Sequence, residues 1–187
     1  LIFAVVLYVL ALAAHVLDLG AAGVMFPRLD TTADAVAAMR HLRYPPDGDR
    51  GAAIYNRAGG FGLRDGSSLS QGDAPVGIVQ IESRYAVEDI EAIAATPGVE
   101  VMFVGPLDLM QALGVFDRDA PQFRAACSRI VEVARAAGIT PGIFAPSAEV
   151  ARRYHAEGFT FVAIGSDSFY VAAAARAASA VKGGAHS

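Results

Sequence analysis

Short apolar runs alternate along the chain with segments of helical periodicity. Each run is too short for a helix and rich in Val, Ile and Phe. Both faces of these runs are apolar, which is typical of strands in a parallel sheet covered by helices. The pattern predicts an α/β protein with five strands, at residues 23–27, 76–82, 100–105, 141–145 and 160–165.

Capping residues and glycines mark the predicted helix boundaries. Thr31 and Asp34 have the spacing of a capping box, and Asp119 has Gln122 three residues later, with Pro121 between them. The helix that follows carries one apolar stripe: Phe123, Cys127, Ile130, Val131 and Ala134. Gly138 and Gly158 stand where helices would end before the next strands, so we expect a regular helix–strand alternation.

The beginning of the chain has a different composition. Residues 1–14 carry no charge, but the apolar run meets His15 and Asp18 before the roughly 20 residues that a membrane-spanning helix needs. A secretory signal would need a positively charged leader, which is absent. A short membrane span, a signal segment, a buried helix or strand, and a foreign stretch all stay open, and we do not expect a membrane partner.

This composition divides the chain into three predicted parts. Residues 1–16 form an apolar segment, residues 17–182 form one α/β domain, and residues 183–187 form a frayed tail. Five strands fit either an open doubly wound sheet or part of a (β/α)₈ barrel. A barrel typically takes about 250 residues, so this chain would hold an incomplete one, lacking its N-terminal units.

Charge and cysteine content exclude several classes of protein. The chain has 15 Lys and Arg against 19 Asp and Glu, a formal net charge of −4, so no basic surface for nucleic acid is expected. Cys127 is the single cysteine and cannot form an internal disulfide. We therefore expect a cytoplasmic protein in which Cys127 is a small apolar residue within a helix.

Residues 45–73 form the longest stretch without periodicity, and they contain seven glycines. Long loops in compact domains are usually functional, and we expect this one to cover the mouth of the sheet. Arg50 is its candidate catalytic residue, because a guanidinium can bind a carboxylate with two hydrogen bonds. Alternatively, Arg50 pairs with Asp47 or Asp49 within the loop.

Two carboxylates follow predicted strands. Glu82 ends the strand at 76–82, and Asp108 follows the strand at 100–105. Because the active face of a parallel α/β protein lies at the carboxyl ends of its strands, we expect these side chains to meet there. Two hard oxygen ligands suit Mg²⁺ or Mn²⁺ better than Zn²⁺. As an alternative, each residue is a helix cap or a solvated charge.

Several ordered stretches resemble one enzyme family. They are residues 17–21, 43–51, 80–83, 105–109, 141–143 and 161–167. Together they are similar to the HpcH/HpaI aldolases, which include the class II pyruvate aldolases and are related to the β-type citrate lyases. The resemblance implies a TIM barrel that binds Mg²⁺ or Mn²⁺, with Co²⁺ as a further candidate, through Glu82 and Asp108.

The resemblance also implies a substrate and further site residues. The family cleaves or forms 4-hydroxy-2-oxo acids from pyruvate and an aldehyde, so the partners implied are a 2-oxo acid and an aldehyde, bound by a homo-oligomer. The turn formed by Gly105, Pro106, Leu107 and Asp108 would direct backbone N–H groups to the substrate carboxylate. Gln80 is expected to hydrogen-bond the substrate or a metal-bound water, as the second catalytic candidate.

Two residues of the family pattern have no counterpart. The family's proton-transferring histidine would precede this chain, and Ala4 or its surroundings occupy the position of a substrate-binding arginine. We therefore expect weak oxaloacetate decarboxylation and aldol cleavage near background. Two alternatives stay open: an acyl-CoA ester lyase of the citrate lyase β type, and a barrel that binds metal with little or no catalysis.

Overall fold

A computed structural model of the chain describes residues 4–6, 12–71 and 74–180. The predicted tail at 183–187 lies outside the described residues. Within them, strands and helices alternate in the order β1 Ala4–Val6, α1 Leu12–Asp18, β2 Gly23–Phe26, α2 Thr32–Arg40, β3 Val76–Ile81, α3 Arg84–Glu88, α4 Ile90–Ala94, β4 Val99–Val104, α5 Pro106–Ala112, α6 Pro121–Ala136, β5 Thr140–Ala145, α7 Ala148–Glu157, β6 Phe161–Ile164 and α8 Asp167–Ala180.

All six strands are parallel and follow one another in the sheet in sequence order, from β1 to β6. A doubly wound sheet would reverse its strand order at a switch point, so that alternative is excluded. The five predicted strands are confirmed, with no end differing by more than one residue.

Helices pack against one face of the sheet. The main core joins residues of α1, α2, α4, α5, α6 and α7 to one set of strand side chains, for example Phe26, Ile81 and Met102. On the opposite face, a smaller cluster contains only strand residues, centred on Met25, Ile78, Val101 and Phe103. Sequential parallel strands with helices on one side form a curled half-barrel, and the inner cluster lines its concave face.

The first strand belongs to this same sheet, and the first helix packs in its main core. Val5 of β1 is paired with Val24 of β2, and α1 runs across the predicted boundary at residue 16. Ala13 and Leu17 of α1 are buried in the main core. Among the described residues, no helix is both long and apolar enough to cross a membrane.

The helix caps agree with the sequence at some positions and differ at others. Thr31 and Asp34 form the predicted capping box, and Gly158 ends α7 in a left-handed conformation with φ of 111°. The predicted cap by Asp119 is wrong, because α6 begins after Ala120 without a side-chain cap. Asp119 instead accepts from Arg153 at 2.9 Å.

Candidate active site at the carboxyl ends of the strands

Glu82 stands directly after β3, where the chain turns into α3. Side chains alternate along a strand, so Gln80 and Glu82 follow Ile78 on the concave face of the sheet. Glu82 is only 9% exposed, and Gln80 is half-buried. A carboxylate and an amide therefore lie side by side inside the curl of the strands.

Hydrogen bonds tie the end of β2 to the end of β3. The backbone N–H of Arg28 donates to Oε1 of Glu82 at 2.8 Å, and the hydroxyl of Ser83 donates to Oδ1 of Asp30 at 2.6 Å. Arg28 adopts a φ of 53°, a left-handed conformation that is uncommon for a residue with a β-carbon. The loop after β2 is thus shaped around the Glu82 carboxylate.

Asp108 lies in the helix that follows the next strand of the sheet. Gly105 comes directly after β4, Pro106 is the first residue of α5, and Asp108 is exposed in the first turn of that helix. A β-carbon at Gly105 would lie 2.9 Å from Oε2 of Glu82 and 3.6 Å from Nε2 of Gln80. Glu82 and Gln80 therefore face a position that is left open by the missing side chain of Gly105. Asp108 lies three residues further along the chain, near enough for its charge to act on Glu82.

The electrostatics of Glu82 reflect this arrangement. Burial raises its pKa above the usual value, and the negative charges of Asp108 and Asp30 raise it further. The Arg28 N–H bond and the Arg28 charge oppose that rise. Two carboxylates that repel each other across a partly buried site are stabilised by a cation between them.

The donors suit a hard divalent cation. Two carboxylates with room for water and substrate oxygens are a common Mg²⁺ or Mn²⁺ arrangement. Oε1 of Glu82 is occupied by the Arg28 N–H, whereas Oε2 faces the space beside Gly105. Over the described ranges no group of three or more His, Cys, Asp or Glu side chains that could hold a metal ion occurs.

Arg50 is not brought to this site. Its side chain is 5% exposed, its Nη2 donates to Oδ1 of Asp18 at 2.9 Å, and its guanidinium lies 4.7 Å from the centre of the Tyr44 ring. Asp18 ends α1, before β2, so this ion pair lies at the amino ends of the strands. The alternative, a pairing of Arg50 with Asp47 or Asp49, is wrong as well, because Arg50 pairs with Asp18 and Asp49 binds Arg40.

The expectation that the loop at residues 45–73 covers the mouth of the sheet is corrected as well, because this loop also lies at the amino ends of the strands. Residues of the segment 42–58 line a cavity together with Ala22 and Pro75, which immediately precede β2 and β3. This end of the sheet is opposite to Glu82. A segment between a helix and the following strand starts and ends at the amino face, and the described part of this loop stays there.

Sequence reasoning missed three contributors at the carboxyl end: Arg28, Asp30 and Ser83. Arg28 could be recognised in the sequence as a basic residue after a predicted strand. Its left-handed backbone could not be predicted, because residues with a β-carbon rarely adopt that conformation. The Ser83 to Asp30 bond joins residues 53 positions apart. Only the pairing of β2 with β3 brings them together.

Comparisons with known proteins agree with the resemblance found in the sequence. A family model described as HpcH/HpaI aldolase/citrate lyase matches residues 8–174. A hydroxypyruvate/pyruvate aldolase of Paraburkholderia phytofirmans is 40% identical over 172 residues, which are 89% of this chain and 66% of that protein. A 5-keto-4-deoxy-D-glucarate aldolase of Enterobacter sp. strain 638 is 42% identical, over 82% of this chain and 60% of its own length.

A solved structure gives the same result. The HpcH/HpaI aldolase/citrate lyase family protein from Burkholderia cenocepacia superimposes with a TM-score of 0.83 and 39% identity, over 91% of this chain and 68% of that one. The chain thus spans slightly less than two thirds of the length of the curated aldolases it matches.

Proposed function

The chain belongs to the HpcH/HpaI aldolase/citrate lyase family, and from that premise we propose that it is a carbon–carbon lyase for 2-oxo acids. Glu82 and Asp108 would hold a divalent cation, Mg²⁺ or Mn²⁺. Gln80, with the backbone N–H groups of Leu107 and Asp108, would bind the substrate. The relatives' names point to pyruvate-type substrates, and a 4-hydroxy-2-oxo acid with its aldehyde product is the proposed reaction pair.

One observation supports this proposal: Gln80 and Glu82 face the open space beside Gly105 at the carboxyl ends of β3 and β4, and the charge of Asp108 acts on Glu82 there. Barrel enzymes place their chemistry at this end of the strands. The proposal includes an eight-stranded barrel of which β1 to β6 are part. A cytoplasmic location and a homo-oligomer stay predictions from the sequence.

Each residue has a definite task in this account. When bound, the cation would supply Lewis acidity toward the ketone oxygen of the substrate. The Gln80 amide donates a hydrogen bond to a substrate oxygen, and the first turn of α5 offers N–H groups that have no acceptor within the helix. Arg28, whose charge acts on Glu82, adds a positive charge beside the substrate carboxylate.

Proton transfer separates two possible reactions. In the described part of the chain, His15 and His155 lie within helices, and His41 caps the end of α2. Aldol cleavage needs a positioned base, which typically contributes 10²–10⁴-fold. Oxaloacetate decarboxylation needs none, because the bond between the methylene carbon and the 4-carboxylate breaks with release of CO₂. The electron pair of that bond forms the enolate of pyruvate, which solvent then protonates. We therefore propose decarboxylation as the more accessible activity.

The experiment follows pyruvate release from oxaloacetate with Mn²⁺ present, with Mn²⁺ alone as the protein-free background. Glu82→Gln and Asp108→Asn should each lower the protein-dependent rate by at least about tenfold, since each removes one charged ligand. Glu88→Gln, an exposed residue of α3, is the matched control and should keep the rate.

Two outcomes would change the account. A protein-dependent rate that is unaffected by Glu82→Gln and Asp108→Asn would overturn the site. A rate equal to that of Mn²⁺ alone, in a protein that still binds Mn²⁺ through these residues, would favour the alternative of a metal-binding barrel without catalysis.

A further inference from the structure

The cavity lined by the loop after α2 lies at the opposite end of the sheet from Glu82. It has a volume of about 940 Å³, and its walls include Ala22 and Pro75, which precede β2 and β3, and the loop after α2. Small-molecule sites usually have volumes of roughly 300–1,000 Å³. The cavity is therefore large enough for a metabolite.

Positive charge dominates the wall of this cavity. Its lining includes Arg43, Arg50, Arg57 and Arg64, whereas Asp47 is the acidic residue among the lining positions that the structure describes. Asp18, which pairs with Arg50, adds one more carboxylate. These groups leave an excess of two positive charges in a chain whose formal net charge is −4. The net charge of the cavity wall is therefore positive, whereas the net charge of the whole chain is negative.

Arg50 is the most buried of these cations. A guanidinium has five N–H donors, and in the structure Nη2 donates to Asp18 while Nε is buried without a hydrogen-bond partner. The Tyr44 ring covers the flat face of the Arg50 guanidinium. A ligand can therefore hydrogen-bond only to the N–H groups at the edge of the guanidinium. A buried cation with unused donors is costly unless further negative charge compensates it.

Arg43 repeats this arrangement at a second point of the wall. Its Nε is also buried and has no hydrogen-bond partner. Its guanidinium packs against Gly98, where a β-carbon would lie 2.7 Å from Nη2. A larger residue at that position would displace the guanidinium of Arg43.

We propose that this cavity binds a small molecule with at least two negative charges, such as a phosphorylated or polycarboxylated metabolite. Arginine forks match the oxygens of phosphate and carboxylate groups. The site is separate from the carboxyl end, since β3 has six residues and a strand rises roughly 3.3 Å per residue, or about 20 Å in all. The inference therefore does not rest on the proposed lyase activity.

The test titrates inorganic pyrophosphate into the whole chain in the presence of EDTA, by calorimetry and by thermal shift. Sodium chloride at matched ionic strength and acetate are the ligand controls. We expect saturable binding of pyrophosphate, no saturable binding of acetate, and an affinity that falls as salt is added.

Variants locate the site. Arg57→Gln and Arg64→Gln remove exposed side chains, so they should fold normally and each weaken pyrophosphate binding by about tenfold. Arg129→Gln breaks an exposed ion pair with Glu91 on another surface and should change the affinity less than twofold. Arg50→Lys keeps the positive charge but loses the paired N–H donors of the guanidinium. Circular dichroism shows whether this variant folds.

Glu82→Gln should bind pyrophosphate as tightly as the unmodified chain, whether or not the lyase proposal is correct. An absence of saturable binding would overturn the inference. Equal weakening by Arg57→Gln, Arg64→Gln and Arg129→Gln would also overturn it, because it would show general charge attraction rather than a site.

Discussion

The backbone N–H of Arg28 donates to Oε1 of Glu82 over 2.8 Å, from a residue whose φ is 53°. This bond joins the ends of β2 and β3 across 54 positions of sequence. The positive charge of Arg28 also acts on this carboxylate and lowers its pKa. The local strain at Arg28 and the position of Glu82 are therefore parts of one arrangement.

Arg28 variants separate its backbone role from its charge. Arg28→Ala keeps the strained conformation and removes the charge, whereas Arg28→Gly removes both. We expect Arg28→Gly to be more stable than Arg28→Ala by about 1 kcal/mol, since glycine adopts a left-handed backbone freely. Both should raise the KM for oxaloacetate, and thermal melts with steady-state kinetics check the two effects. An Arg28→Ala variant with an unchanged KM would contradict the charge role.

Gly105→Ala tests the open space beside Glu82. The added β-carbon would stand 2.9 Å from Oε2 of Glu82, which is the free end of a side chain, so the fold should survive while the carboxylate moves. We expect Mn²⁺ affinity to fall about tenfold or more with a nearly unchanged melting temperature. Gly66→Ala, where a β-carbon meets nothing within 4 Å, should leave both unchanged. Equal Mn²⁺ affinity in Gly105→Ala and the unmodified chain would contradict the account.

Glu82→Gln has an effect on stability that depends on pH. Burial and the neighbouring Asp108 and Asp30 charges raise the pKa of Glu82, so the folded state disfavours the ionised form. Above that raised pKa, the metal-free Glu82→Gln variant should melt higher than the unmodified chain, by ~2–4 °C for each kcal/mol.

The gain should shrink as the pH falls through the raised pKa toward the ordinary glutamate value, because Glu82 then gains its proton in the folded state first. Below that value the difference should no longer change. Melting curves in EDTA between pH 4 and pH 8 check this, and a gain that grows on acidification would show that the carboxylate is stabilising instead.

Cys127 reports on the integrity of α6. It is 4% exposed in the apolar stripe of that helix, and burial raises its pKa to about 12. The native protein should not react with a disulfide reagent at pH 8, because the thiolate is scarce and inaccessible. Reaction should appear on unfolding in urea. Rapid labelling of the native chain would show that α6 does not pack as described.

The sequence predicted elements that depend on local pattern. Five strands, the Thr31 capping box and the Phe123 to Ala134 stripe follow from periodicity and cap chemistry, and the structure has each of them. The stripe is buried throughout. Glu82 and Asp108 could be placed because parallel strands bring their carboxyl ends to one edge.

Other features depend on contacts between distant residues. The prediction for Arg50 depended on the length of its loop and on the ability of a guanidinium to bind a carboxylate, but its partner is Asp18, 32 positions away. No local pattern indicates that pairing. The strand at Ala4–Val6 is short and lies within a uniformly apolar run, so only its pairing with β2 identifies it.

The central claim is that Glu82 and Asp108 hold one divalent cation at the carboxyl end of the sheet. The most direct test is a Mn²⁺ titration of the purified chain, followed by the electron paramagnetic resonance signal of free Mn²⁺, with Glu82→Gln, Asp108→Asn and the control Glu88→Gln beside it. We expect one site per chain, lost or weakened at least tenfold in Glu82→Gln and Asp108→Asn and retained in Glu88→Gln. Equal Mn²⁺ affinity in all four proteins would contradict it.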